Sequence, residues 1–150
     1  MTTNTTDRTA AVTDVECVRK RRRTRTLAVL AAAGATFTVW TIAVPLAGVD
    51  LVADTGSGPA TVTPIAVVLT TIVAGLAGWG LLALLERSNP RAATTWTRIA
   101  GIFLLISLLG PLGSAVGAGA TVALLAMHLA AGAVLIPLLA RSSGHGGRRS

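Results

Sequence analysis

From residue 99 to residue 140 the chain runs for 42 positions without a formal charge. A helix rises about 1.5 Å per residue and a bilayer core is about 30 Å thick, so one crossing uses about 20 residues. The run is therefore too long for one crossing and right for two. Its break is written in the stretch GPLGSAVGAG, 110–119, where Pro111 and four glycines punctuate it. Two shorter uncharged runs precede it, 24 residues at 26–49 and 31 residues at 55–85. The first holds one span. The second holds one span and an approach loop, TGSGPATVTP, whose closing Pro64 suits a helix start. Four transmembrane helices follow, over about 27–48, 64–85, 97–113 and 119–140.

A soluble fold does not accommodate these runs. The chain has 150 residues, is 52% hydrophobic and only 13% charged, against about 25% charged in ordinary soluble domains. Its mean hydropathy is +0.69. Helices of this length that are apolar on every face need lipid around them, because one small domain has no core large enough to bury them all.

The placement of charge sets an orientation. Of 13 Lys and Arg residues, seven precede the first helix, three lie between helices two and three (Arg87, Arg91, Arg98), and three follow helix four (Arg141, Arg148, Arg149). The two intervening connections carry none. By the positive-inside rule both termini face the cytoplasm of a multi-pass plasma (inner) membrane protein. A three-helix reading would put Arg141, Arg148 and Arg149 outside, so charge and length agree on four. The densest cluster, RKRRRTR at 19–25, reads as a topology anchor at an anionic leaflet, where each basic residue adds about 1 kcal/mol of attraction. No aromatic platform accompanies it, so nucleic acid is not an expected partner. The run behind it also exceeds the core of an export signal. The expected domains are a disordered basic tail at 1–23, a transmembrane domain at 24–141 and a disordered tail at 142–150.

Inside the bilayer the candidate polar contact residues are His128, Thr38 and Ser107. His128 lies about 12 residues, or about 18 Å, from the edge at Ala140. A polar group at that depth usually faces the bundle interior. Two readings stay open: a neutral imidazole hydrogen-bonded to a hydroxyl or carbonyl, or part of a proton or ligand track. Counting to the same depth on the other helices reaches Thr38 to Trp40, with Ser107 somewhat lower. At the cytoplasmic interface, Glu86 and Arg87 are expected to pair locally, and Trp96 to anchor the aromatic belt with Thr94 or Thr95 as N-cap. Ala74 and Gly78 form a small-xxx-small pair. Pro45 and Pro137 should kink their helices modestly. Asp50 and Asp54 are the only charges of the outer loop. Cys17 stands alone, which excludes an intrachain disulfide and a multi-cysteine metal site, and His145 is read as a solvated tail residue.

No nucleophile–base–acid set, HExxH or phosphate-binding glycine loop is present. The expectation is a non-enzyme without cofactor or metal. It would act through helix contacts with itself (a homo-oligomer) or with a membrane protein partner. The alternative is a small transporter or pore subunit that uses His128.

The stretches GLAGWGLLALLER (75–87), LLISLLGPLG (104–113) and LLAMHLAAGAVLIPLL (124–139), with the outer GVDLVA, GSGP and VTP segments, resemble a family of small four-helix bacterial integral membrane proteins catalogued as a domain of unknown function. The resemblance covers roughly 24–141. It implies the same four-helix topology and no known activity, with Trp79, Glu86, Arg87, Pro111 and His128 at the recurring motifs.

Overall fold

The computed structural model describes the backbone of residues 4–54 and 56–143, with side chains from residue 16 onward. Its elements in chain order are α1 (Asn4–Thr41), a π-helical turn (Ile42–Leu46), β1 (Val52–Asp54), β2 (Pro59–Thr61), α2 (Pro64–Ser88), α3 (Ala92–Ser107), α4 (Leu109–Ser114) and α5 (Ala118–Ser143). Together they supply four segments long and apolar enough to cross a membrane: Glu16–Leu46, Pro64–Ser88, Ala92–Ser114 and Ala118–Ser143. The fold is an all-α, four-transmembrane-helix bundle.

Each boundary has a local cause. α1 ends in the π-turn because Pro45 has no N–H to continue the α ladder. Ala47 N–H donates to Ile42 O at 2.9 Å instead, and Gly48, at φ 66°, turns the chain so that Val49 N–H reaches Ala43 O. α2 opens as expected, with Thr63 Oγ1 accepting from Ala66 N–H at 3.3 Å and Pro64 in the first turn. Asn89 closes it. Its Oδ1 accepts from Arg91 N–H and its Nδ2 donates to Thr95 Oγ1, both at 2.8 Å. Thr94 and Thr95 are therefore not the cap of the third span, which starts at Ala92 with Arg91 as N-cap and no side-chain cap bond. The break in the long run falls at Ala115–Gly117, where Ala115 is extended and Gly117 has φ 90°. Pro111 sits buried in the short α4 just before it.

One feature departs from expectation. The loop between the first two spans folds into a hairpin, with Val52 opposite Thr61 and Asp54 opposite Pro59. Asp54 Oδ1 accepts from Gly56 N–H in its turn at 2.9 Å. Val116 N–H donates to Val52 O at 3.0 Å, tying the hairpin to the α4–α5 connection. α1 carries the helix of the first span back to Asn4. Thr24 and Thr26 return their hydroxyls to the Lys20 and Arg22 carbonyls, and ion pairs from Arg21 and Arg25 to α2 tie the basic run to the bundle. Ser142, assigned to the tail at 142–150, is buried in α5. Residues 1–3 and 144–150, which include His145, lie outside the described residues.

α1 packs most extensively on α5 and α2, while α3 leans on α5 and less on α2. Packing divides into two clusters. One lies toward the hairpin, around Leu51, Val67, Ala123 and Met127. The other lies toward the charged end, around Ala28, Leu82, Trp96 and Leu139. Glycines permit the close crossings. A Cβ at Gly75 would stand 3.0 Å from Val29, one at Gly78 2.9 Å from the Trp96 ring, and one at Gly132 2.5 Å from Leu104. Ala74, expected to pair with Gly78 in packing, is exposed; Gly75 and Gly78 hold the close contacts of α2.

Candidate functional site

At the charged end, Arg25 of α1 is drawn into the bundle and is only 3% exposed. A buried guanidinium needs a counter-charge and acceptors for its donors. Nη2 donates to Glu86 Oε1 of α2, and Nε donates to Ser142 Oγ of α5 at 3.0 Å. Ser142 Oγ in turn donates to Leu139 O at 2.7 Å. Arg21, one turn earlier on α1, has Nη1 3.7 Å from Glu86 Oε2. One carboxylate thus joins two arginines, and through Arg25 three helices. Beside this network opens a groove of about 680 Å³, lined by Val18, Arg21, Arg22, Arg25, Trp79, Ala83, Glu86 and Arg87. Its walls carry four guanidinium groups against one carboxylate.

A smaller groove of about 290 Å³ lies nearer the middle of the spans, its lining including Thr36, Thr70, Thr71, Met127 and His128. Thr36 and Thr71 place their hydroxyls 3.1 Å apart across α1 and α2. Both are buried, and Thr71 also bonds the Val67 carbonyl at 2.7 Å. His128 is half-buried, and its Nδ1 is 2.8 Å from Leu124 O. A carbonyl only accepts, so Nδ1 carries a proton and donates to it.

Among known proteins, a family model for a family of unknown function, DUF6069, matches residues 16–145. The chain belongs to this family. The match thus begins just before the basic run at 19–25, taking in Arg21, Arg25 and the charged groove as well as the four spans. No curated protein and no solved structure matches the chain.

The bundle brings together only part of what the sequence singled out. Thr38 is exposed on α1 and donates to Gly34 O at 2.8 Å, away from His128. Ser107 turns back onto Leu104 O at 2.7 Å. The hydroxyl pair that does cross between helices is Thr36–Thr71, one turn from the positions that depth counting reached. Glu86 does not pair with Arg87, which is exposed and has no ion pair among the described residues. Neighbouring helix positions point about 100° apart, so Arg21 and Arg25 across the groove hold the carboxylate. Trp96, expected as an aromatic-belt anchor, is turned into the bundle: it is 5% exposed, and its Nε1 donates to Ile136 O at 3.2 Å. The void over Gly78 receives its ring. Cys17 is exposed and free. Among the described residues no three His, Cys, Asp or Glu side chains gather as a metal site.

The network of Arg25, Glu86 and Ser142 went unread in the sequence, yet a signal was present. Glu86 is the last acid in the chain and directly follows an uncharged run, and Arg25 is the last charge before the first uncharged run. The same depth counting, applied to α1 and α2 as antiparallel neighbours, sets them at one level.

Proposed function

We propose that this member of DUF6069 is a non-enzymatic, multi-pass protein of the plasma membrane with both termini in the cytoplasm, working through contacts of its helices with a second copy or a membrane protein partner. The observation that carries this reading is the state of the third span. Only 11% of its most apolar window is buried, against 33% for the first span, and Ile102, Phe103, Leu105 and Ile106 all face outward. A span so loosely enclosed within its own bundle has most of its surface available to another helix. The orientation is supported by charge: every described Lys and Arg lies toward one end, while Asp50 and Asp54 occupy the other. The test is cross-linking in native membranes. In a Cys17→Ser background, cysteines at Phe103 and Ile106 should form specific cross-linked species, while cysteines on exposed Leu30 or Leu69 should not. Equal cross-linking at all four positions would mean random collision and overturn the reading.

The second reading, a transporter or pore subunit, is favoured by one observation: the groove beside His128 carries three threonine hydroxyls. It requires pH-dependent solute flux in reconstituted vesicles that disappears in His128→Leu while the fold persists.

A further inference from the structure

The groove at the charged end is more specific than a basic surface. Arg25 is committed to Glu86 and Ser142, and Arg21 is partly committed to Glu86. Arg22 and Arg87 line the same groove, exposed and without an ion pair among the described residues. Glu86 therefore balances one of four positive charges and leaves a concave surface with a net charge of about +3.

Trp79 supplies a second observation. The three tryptophans of the chain are treated differently. Trp40 Nε1 donates to Val62 O and Trp96 Nε1 to Ile136 O. Trp79 is half-buried against the groove, and its indole N–H has no acceptor among the described residues. No buried side-chain donor among the described residues lacks a partner, so this N–H is accessible and open to an acceptor that enters the groove. Trp79 lies seven residues before Glu86 on α2, so about 10 Å deeper toward the middle of the span. The groove thus offers cationic donors at its outer level and one neutral donor further in, with apolar Ala83 between. A diacyl phospholipid has the complementary order: phosphate outermost, ester carbonyls next, then hydrocarbon.

We propose that this groove is a binding site for one anionic phospholipid, with Arg22 and Arg87 holding the phosphate, Trp79 donating to an ester carbonyl, and Glu86 fixing Arg21 and Arg25 as the wall. The assignment rests on the reading of the charged end as a membrane-interface end. It stands apart from that reading in the test, because span orientation is measured independently of lipid choice.

Native mass spectrometry of the full-length protein in detergent, titrated with phosphatidylglycerol, phosphatidylcholine or sodium phosphate, measures the site. Phosphatidylglycerol should bind at least tenfold more tightly than phosphatidylcholine. At about fivefold per arginine, the double variant Arg22→Gln/Arg87→Gln should lose about 25-fold for phosphatidylglycerol. Arg19→Gln/Arg23→Gln, with the same charge loss at exposed positions outside the groove, should lose less than about twofold. Trp79→Phe should weaken ester-linked phosphatidylglycerol about fivefold and leave the ether-linked lipid, which lacks the carbonyl acceptor, unchanged. This last comparison holds even if the arginine variant fails to fold. Equal losses in the two arginine pairs would reduce the groove to diffuse attraction and overturn the proposal. Competition by millimolar sodium phosphate would reassign it to a soluble anion, and indifference of Trp79→Phe to lipid linkage would remove the carbonyl contact.

Discussion

Glu86 stands next to one arginine in the chain and across a groove from two others, and only the second pair of neighbours matters to it. Because Arg25 is buried and Glu86 is the only carboxylate it meets among the described residues, Glu86→Gln leaves a charge without a partner. Loss of about 1.5–3 kcal/mol is expected, the range for hydrogen bonds to charged groups. Arg87→Gln, beside it, should change stability by less than about 0.5 kcal/mol. Thermal unfolding in detergent distinguishes them, and Glu86→Gln combined with Arg25→Met should recover much of the loss. Equal effects of Glu86→Gln and Arg87→Gln would restore the local pair expected from the sequence. His128 behaves differently, because its hydrogen bond is to its own helix. His128→Leu should leave the melting profile within about 0.6 kcal/mol of the parent, the mean worth of a polar contact in such bundles. His128→Asp should cost about 2.5–3.5 kcal/mol.

At the scale of elements, spans were legible where a single physical demand governs them. Lipid leaves no partner for unbonded backbone, so each apolar run must be helical and about 20 residues long. Pro64 and the Gly/Pro stretch at 110–119 then mark where helices begin and break. The hairpin was not legible, because LVADTGSGPATV is read as turn formers until Val52 meets Thr61 and Val116 donates to Val52. Trp96 was misjudged for a related reason. Interfacial placement is a tendency of tryptophan, whereas its burial depends on a missing Cβ at Gly78 on another helix. That dependence gives a matched test on α2. Gly78→Ala sets a methyl 2.9 Å from the Trp96 ring, and overpacking of this kind costs about 1–3 kcal/mol. Gly80→Ala, two positions on, meets nothing within 4 Å and should not destabilise. Equal losses would mean that the Trp96 contact does not set the α2–α3 crossing.

For the molecule as a whole, the segregation of 13 basic residues into alternate segments predicts a labelling pattern. In intact cells of a Cys17→Ser background, a membrane-impermeant thiol reagent should reach cysteines placed at Ser57 and Ser114 and miss those at Ser88 and Ser143. Labelling of Ser143 from outside would contradict an even number of spans. Neutralising Arg21, Arg22, Arg23 and Arg25 to Gln should scramble insertion of α1 and give labelling on both sides.

The link between Arg25 and Glu86 bridges 61 positions of chain, and synthesis runs in one direction. At about 5–20 residues per second, Arg25 exists for several seconds before its carboxylate does. A lone guanidinium at its final depth is costly through that interval, so the nascent first helix should first ride with Arg25 among the headgroups and sink when α2 arrives. Assembly would then be ordered in time, the second helix pulling the first to its register. Chains truncated at Leu85 and at Asn89 should differ in the depth of α1, read by thiol labelling near Val49, and identical depths would show that α1 finds its place alone.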